Sequence, residues 1–209
     1  MKYLLSVFLL FNFCSQAQIT IPYFENDTTF SYAYPIASKR IHLKSPNFRK
    51  TLLQIRVWQK YIPDTYLPET IFILDIHKNN TWKLRQYVTG FRSRSESVRY
   101  YTILRKTEKA DSILLKEIFD SLQEIYFTEK SDSLQKFATH SFIVEILTET
   151  TKCSFYHYCF SKNRSYSGDL KQSLPLQKAI HLILAIFGDT KTKICFVPLP
   201  DEFQRSYTY

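Results

Sequence analysis

The stretch "KCSFYHYCF", residues 152–160, holds the side chains best suited to metal binding or nucleophilic chemistry: Cys153, His157 and Cys159. In an extended strand, alternate residues share a face, so these three lie together with Phe155. Six residues of strand span about 20 Å at ~3.3 Å per residue. A disulfide needs Cα atoms within about 7 Å, so Cys153 and Cys159 cannot bridge each other. Cys195 is the remaining partner, and an oxidising compartment would favour a bridge from it to Cys159 or Cys153. A structural zinc site needs four ligands, usually in close-spaced pairs. His157 and Cys159 find no second pair, since Cys195 and His140 stand alone. No metal is therefore assigned.

Catalysis finds little support in the sequence. A dyad of Cys153 or Cys159 with His140 or His181 would need an exposed thiolate in positive surroundings. Pairing with the preceding strand, Ser141–Glu149, works against this. A turn at Thr150-Thr151 would set Glu149 opposite Lys152, Ile146 opposite Phe155 and Val144 opposite His157. Both thiols then face the core, while Glu145 and Tyr156 occupy a solvated face. There is no G-x-S-x-G elbow, no H-E-x-x-H, no phosphate-binding loop and no dinucleotide fingerprint. No catalytic residue and no cofactor is assigned. A hydrolase using carboxylates such as Asp75 and Glu145 stays open as an alternative.

Binding chemistry is better represented. Lys83, Arg85 and Tyr87 alternate on one strand, and Arg99, Tyr101, Ile103 and Arg105 on another. If these strands are neighbours, they form a basic, aromatic surface on which a polyanion or glycan can rest.

The elements that would position these residues follow from periodicity. Leu52–Tyr61 alternates as a strand and stops before Pro63. "TIFILDIHKNNTWKLRQYV" reads as a hairpin with a three-residue turn, Lys78-Asn79-Asn80. That register sets Ile76 opposite Trp82, Asp75 opposite Lys83 and Leu74 opposite Leu84. Val98–Lys106 is a further strand. Asp111 caps a helix whose apolar stripe runs through Leu115, Ile118, Phe119 and Leu122. A second helix is expected from Ser173 to Gly188, and a last strand at Ile194–Leu199. The order implies an α+β fold: an antiparallel sheet built from hairpins, with two main helices packed on one face.

The ends and the composition set the cellular context. Lys2, the apolar run Tyr3–Phe13 and Ser15-Gln16-Ala17 have the form of a signal peptide cleaved after Ala17. The division expected is a signal at 1–17, an irregular N-terminal arm at 18–50 and a single α+β domain at 51–209. No other apolar run is long enough to span a bilayer, so no transmembrane segment is expected after signal removal. The leader and the Lys-, Asn- and Tyr-rich chain resemble exported bacterial proteins in style, without a shared motif. The net charge of +9 becomes +8 once Lys2 is removed. An exported address argues against nucleic acid as the partner. The expectation is a periplasmic or extracellular protein that binds an envelope protein or a polyanion or glycan, and is not an enzyme.

Overall fold

The structure is a computed structural model that describes residues 19–24, 26, 33–60, 68–90, 99–125, 140–159 and 170–189. Its centre is a six-stranded antiparallel sheet in the order β4-β3-β2-β1-β5-β6. The strands are β1 (Thr51–Lys60), β2 (Thr70–His77), β3 (Thr81–Gly90), β4 (Arg99–Lys109), β5 (His140–Leu147) and β6 (Lys152–Cys159). Three helices are described: α1 (Pro35–Arg40), α2 (Ser112–Gln123) and α3 (Leu170–Ile186). The fold is α+β. The signal segment, the strand expected at 194–199 and Cys195 lie outside the described residues.

Each element forms where its local chemistry allows. The β2–β3 turn has the three-residue register, with Ile76 opposite Trp82, Asp75 opposite Lys83 and Leu74 opposite Leu84. Asn80 takes the left-handed conformation this turn requires, at φ 56°. Asp111 caps α2 by accepting from the amides of Ile113 and Leu114, at 2.9 and 3.1 Å. Helix α3 begins at Leu170, earlier than Ser173, and carries Pro175 inside it. Gly188, at φ 77°, closes its far end. The Gly188 and Asp189 amides donate to the Ala185 and Leu184 carbonyls, a Schellman arrangement.

Two buried clusters lie on opposite faces of the sheet, because alternate strand residues point opposite ways. The larger contains Leu53, Ile55, Val57, Phe72, Leu74, Ile76, Trp82, Leu84, Phe142, Val144 and Ile146, together with apolar residues of α2 and α3. The smaller contains Trp58, Ile71, Ile73 and Ile143, covered by Tyr34 and Ala37. The region read as an irregular arm therefore contains α1, and it contributes to both clusters. Ile19 and Phe24 join the first face and Tyr34 and Ala37 the second. Between them, Asn26 Oδ1 accepts from the Lys152 amide at the start of β6, 2.9 Å away.

That coverage corrects two expectations. Strand β1 is buried on both sides: Gln54, Arg56 and Trp58 are as inaccessible as Leu53 and Ile55. Glu145 is likewise enclosed, at 0% exposure, instead of lying on a solvated face. The β5–β6 turn also differs. Leu147, not Glu149, pairs with Lys152, and Ile146 pairs with Cys153. Residues 148–151 form the turn because the Thr148 hydroxyl accepts from the Thr150 and Thr151 amides, at 3.3 and 2.8 Å. The slip is two residues, an even number, so Cys153, Phe155 and His157 keep the face expected of them.

Candidate functional site

The residues expected to form a basic surface separate into two groups. Lys83, Arg85 and Tyr87 share the second face of β3, and Arg105 lies opposite Arg85 on β4. Arg99 and Tyr101 do not join them. The pairing slips between Gln86 and Tyr87, which leaves Ile103 as an extra residue in β4. Beyond that bulge, Tyr101 lies opposite Val88 and Arg99 opposite Gly90, on the first face. The Tyr101 ring packs over Gly90 so closely that a Cβ there would overlap it. Lys109 takes a place in the basic group, paired with Thr81 on the second face. The sequence reading missed it because the strand expected there ended at Lys106, whereas β4 runs on to Lys109.

A second bulge shapes the neighbouring end of the sheet. In β1 the pairing slips between Thr51 and Leu53, so Thr51 lies opposite His77. Its hydroxyl lies 3.4 Å from His77 Nδ1. A cleft of about 470 Å³ opens there, lined by Arg49, Lys50, His77, Lys78, Asn79, Thr81 and Thr107. Backbone hydrogen bonds fix its walls. The Lys50 and Thr51 amides donate to the Asn47 carbonyl, the Lys78 amide to Lys50 and the Ala110 amide to Asn80. The sequence offered one signal for it: Lys78 and two Asn in a turn, with Arg49-Lys50 ahead of a strand.

Beside the basic group, on the same face, runs a row of buried polar groups across four strands. Arg85 donates to Asp75 at 2.7 Å, and Gln54 to the other Asp75 oxygen at 2.5 Å. Arg56 donates to Gln54 at 2.6 Å and reaches Glu145 at 3.4 Å. The remaining Glu145 oxygen accepts from the Ala33 amide at 2.6 Å. Burial pushes the Glu145 carboxyl above its ordinary range, against the opposing pulls of the Ala33 amide, Arg56 and the Trp58 indole. The indole favours the charged carboxylate by proximity, although its Nε1 meets no acceptor at hydrogen-bond geometry among the described residues. Burial also pushes the Tyr34 and Tyr100 phenols well above their usual range.

The sulfur and imidazole candidates occupy the first face. Cys153 and His157 are buried at 6% and 5% exposure. The His157 ring lies beside Phe142, centroids 6.4 Å apart. Burial and the nearby His157 charge lower the pKa of His181 on α3. Cys159 ends β6 opposite His140. Among the described residues, no three His, Cys, Asp or Glu side chains cluster closely enough to hold a metal ion. No described helix is long and apolar enough to cross a membrane. No protein family matches this chain, and no curated protein matches it either.

Proposed function

We propose that this chain is an exported, non-enzymatic binding protein of the bacterial envelope, and that it binds a polyanion or acidic glycan on the second face of β3 and β4. The observation that carries this reading is the group Lys83, Arg105 and Lys109. They share that face, and no ion pair among the described residues neutralises them. A like-charged surface of this kind raises the local concentration of a polyanion and speeds its encounter. Arg85 belongs to the same face, but its guanidinium is turned to Asp75. Tyr87 and Tyr100 add aromatic surface beside it.

The remaining parts of the reading fit this role. The signal at 1–17 directs export to the periplasm or beyond. Residues 18–50 act as an arm on a single domain, 51–209, and α2 and α3 pack together on the first face of the sheet. Their residues share a cluster with that face, and the Phe187 ring lies 5.1 Å from that of Phe72. The second face is thus left to the arm and the ligand. Asp75 and Glu145, the carboxylates a hydrolase would use, are buried at 6% and 0% exposure and held by structural partners.

Heparin chromatography of the mature chain tests the reading. Retention at low salt and elution by salt are expected, with the triple variant Lys83→Gln, Arg105→Gln, Lys109→Gln eluting earlier. Passage of the wild-type protein through the column unretained would refute it.

A further inference from the structure

We infer that the cleft at the β2–β3 turn is a binding site for a tetrahedral oxyanion, the phosphate or sulfate ester group of a ligand. The inference deepens the polyanion reading and rests on it for the nature of the larger ligand. It stands on separate residues and has its own test.

Three cationic side chains line the cleft: Arg49, Lys50 and Lys78. No carboxylate is among the lining residues. The nearest carboxylates in the sheet are already engaged, Asp75 by Arg85 and Gln54, and Glu108 by Lys106 and Trp82. Arg49, Lys50 and Lys78 have no ion-pair partner among the described residues. An unpaired positive cluster in a concave site focuses its field outward more than the same charges on a flat surface. It therefore draws in an anion.

The remaining lining groups add polar side chains to these charges. Thr81 and Thr107 carry hydroxyls, and Asn79 an amide. The Thr81 hydroxyl donates to Asn79 Oδ1 at 2.7 Å, which leaves the Asn79 NH₂ as a donor. Thr51 Oγ1 meets His77 at Nδ1, so Nε2 of that ring stays available. A tetrahedral oxyanion presents several acceptors at fixed angles, and guanidinium, ammonium and amide donors suit them. The donors come from three chain segments, around residues 49–50, 77–81 and 107, which backbone hydrogen bonds hold together. The arrangement thus exists before a ligand arrives, which lowers the ordering cost of binding.

The cleft also adjoins the proposed polymer surface. Thr107 pairs with Lys83, and Thr81 with Lys109. An ester group in the cleft would continue directly into a chain laid along β3 and β4. A single anionic group would thereby set the register of an otherwise loosely held polymer.

Two-dimensional amide NMR of the mature chain tests this, using inorganic phosphate, inorganic sulfate, glucose 6-phosphate and glucosamine 6-sulfate at constant ionic strength. Saturable shifts are expected at residues 49–51, 77–81 and 107. They should fall at least tenfold in affinity in the Lys50→Gln, Lys78→Gln variant and persist in the Lys83→Gln, Arg105→Gln, Lys109→Gln variant. The four probes rank phosphate against sulfate and the free ion against the ester. Non-saturating shifts, shifts equal to those from chloride, or shifts unchanged in the cleft variant would overturn the inference. Matching thermal unfolding of the variants and wild type shows that the fold is intact. Heparin retention without saturable small-anion binding defeats the cleft and leaves the polymer reading standing. Saturable binding without heparin retention does the reverse.

Discussion

Arg56 lies opposite Glu145 on adjacent central strands, and neither side chain reaches water, at 3% and 0% exposure. Such a pair adds little net stability, because desolvating two charges offsets their attraction. Breaking it is another matter. Arg56→Met leaves Glu145 buried without its counter-charge, and the expected cost is about 3–5 kcal/mol in urea unfolding. A second change, Glu145→Gln, should recover part of that loss by removing the stranded charge. Ser154, beside Glu145 on β6, makes the opposite case. Its hydroxyl is buried with no hydrogen-bond partner among the described residues. Ser154→Ala should therefore be neutral or stabilise the fold by up to about 1 kcal/mol. A clear loss of stability on urea titration would show that the hydroxyl has a partner. Residue type alone concealed both cases. The same Arg and Glu on a half-open sheet would face water, and here the arm covers that face.

The arm and the two bulges are the elements that decide where the sheet is closed and where it is open. Ala37, fully buried in α1, packs the arm against the second face. Ala37→Leu has no space to fill, and the three added carbons there should cost about 1–3 kcal/mol. An unchanged urea midpoint would mean that the arm is only loosely laid on the sheet. The β2–β3 hairpin was legible in the sequence because three signals agree on one register. Asp75 meets Lys83, apolar residues align with apolar ones, and Asn80 tolerates the left-handed turn. Helix α2 was legible from Asp111 and its stripe, and the end of α3 from Gly188. The bulges were not, since neither Leu52 nor Ile103 is a glycine or proline that would mark one. The arm was not, because residues 18–50 carry no period that shows which face they cover. The β5–β6 turn was misread by two residues because Thr148, Glu149, Thr150 and Thr151 are all polar and fit either turn length. Of the proposed basic face, Lys83, Arg85, Tyr87 and Arg105 could be read from alternation. Lys109 could not, because the strand expected there ended at Lys106 and β4 runs further, and the cleft could not, because it depends on the bulge at Leu52.

At the scale of the whole molecule, burial on the two faces sets opposing dependences of stability on pH. On the first face, His181 has its pKa lowered from 6.5, by burial first and by the charge of His157 second. The folded chain therefore takes up this proton less readily than the unfolded chain. Its contribution is complete above the ordinary imidazole value and is lost as pH falls through the lowered one. On the second face, burial raises the pKa of the Glu145 carboxyl above the ordinary carboxylate range. The folded chain holds that proton more tightly. This contribution is complete below the ordinary carboxylate value and is lost as pH rises through the raised one. The two effects run against each other in the total, so single variants are needed to separate them. Relative to wild type, His181→Gln should gain stability as the solution is acidified below pH 6.5. Glu145→Gln should gain it as pH rises above the ordinary carboxylate range. Arg56 stays charged throughout, so the constant cost of removing its partner does not alter that slope. Urea midpoints of the three proteins from acid to neutral pH provide the measurement. A Glu145→Gln difference that shrinks with rising pH would mean that Arg56 and the Ala33 amide outweigh burial, and that the carboxylate is held charged beneath the arm.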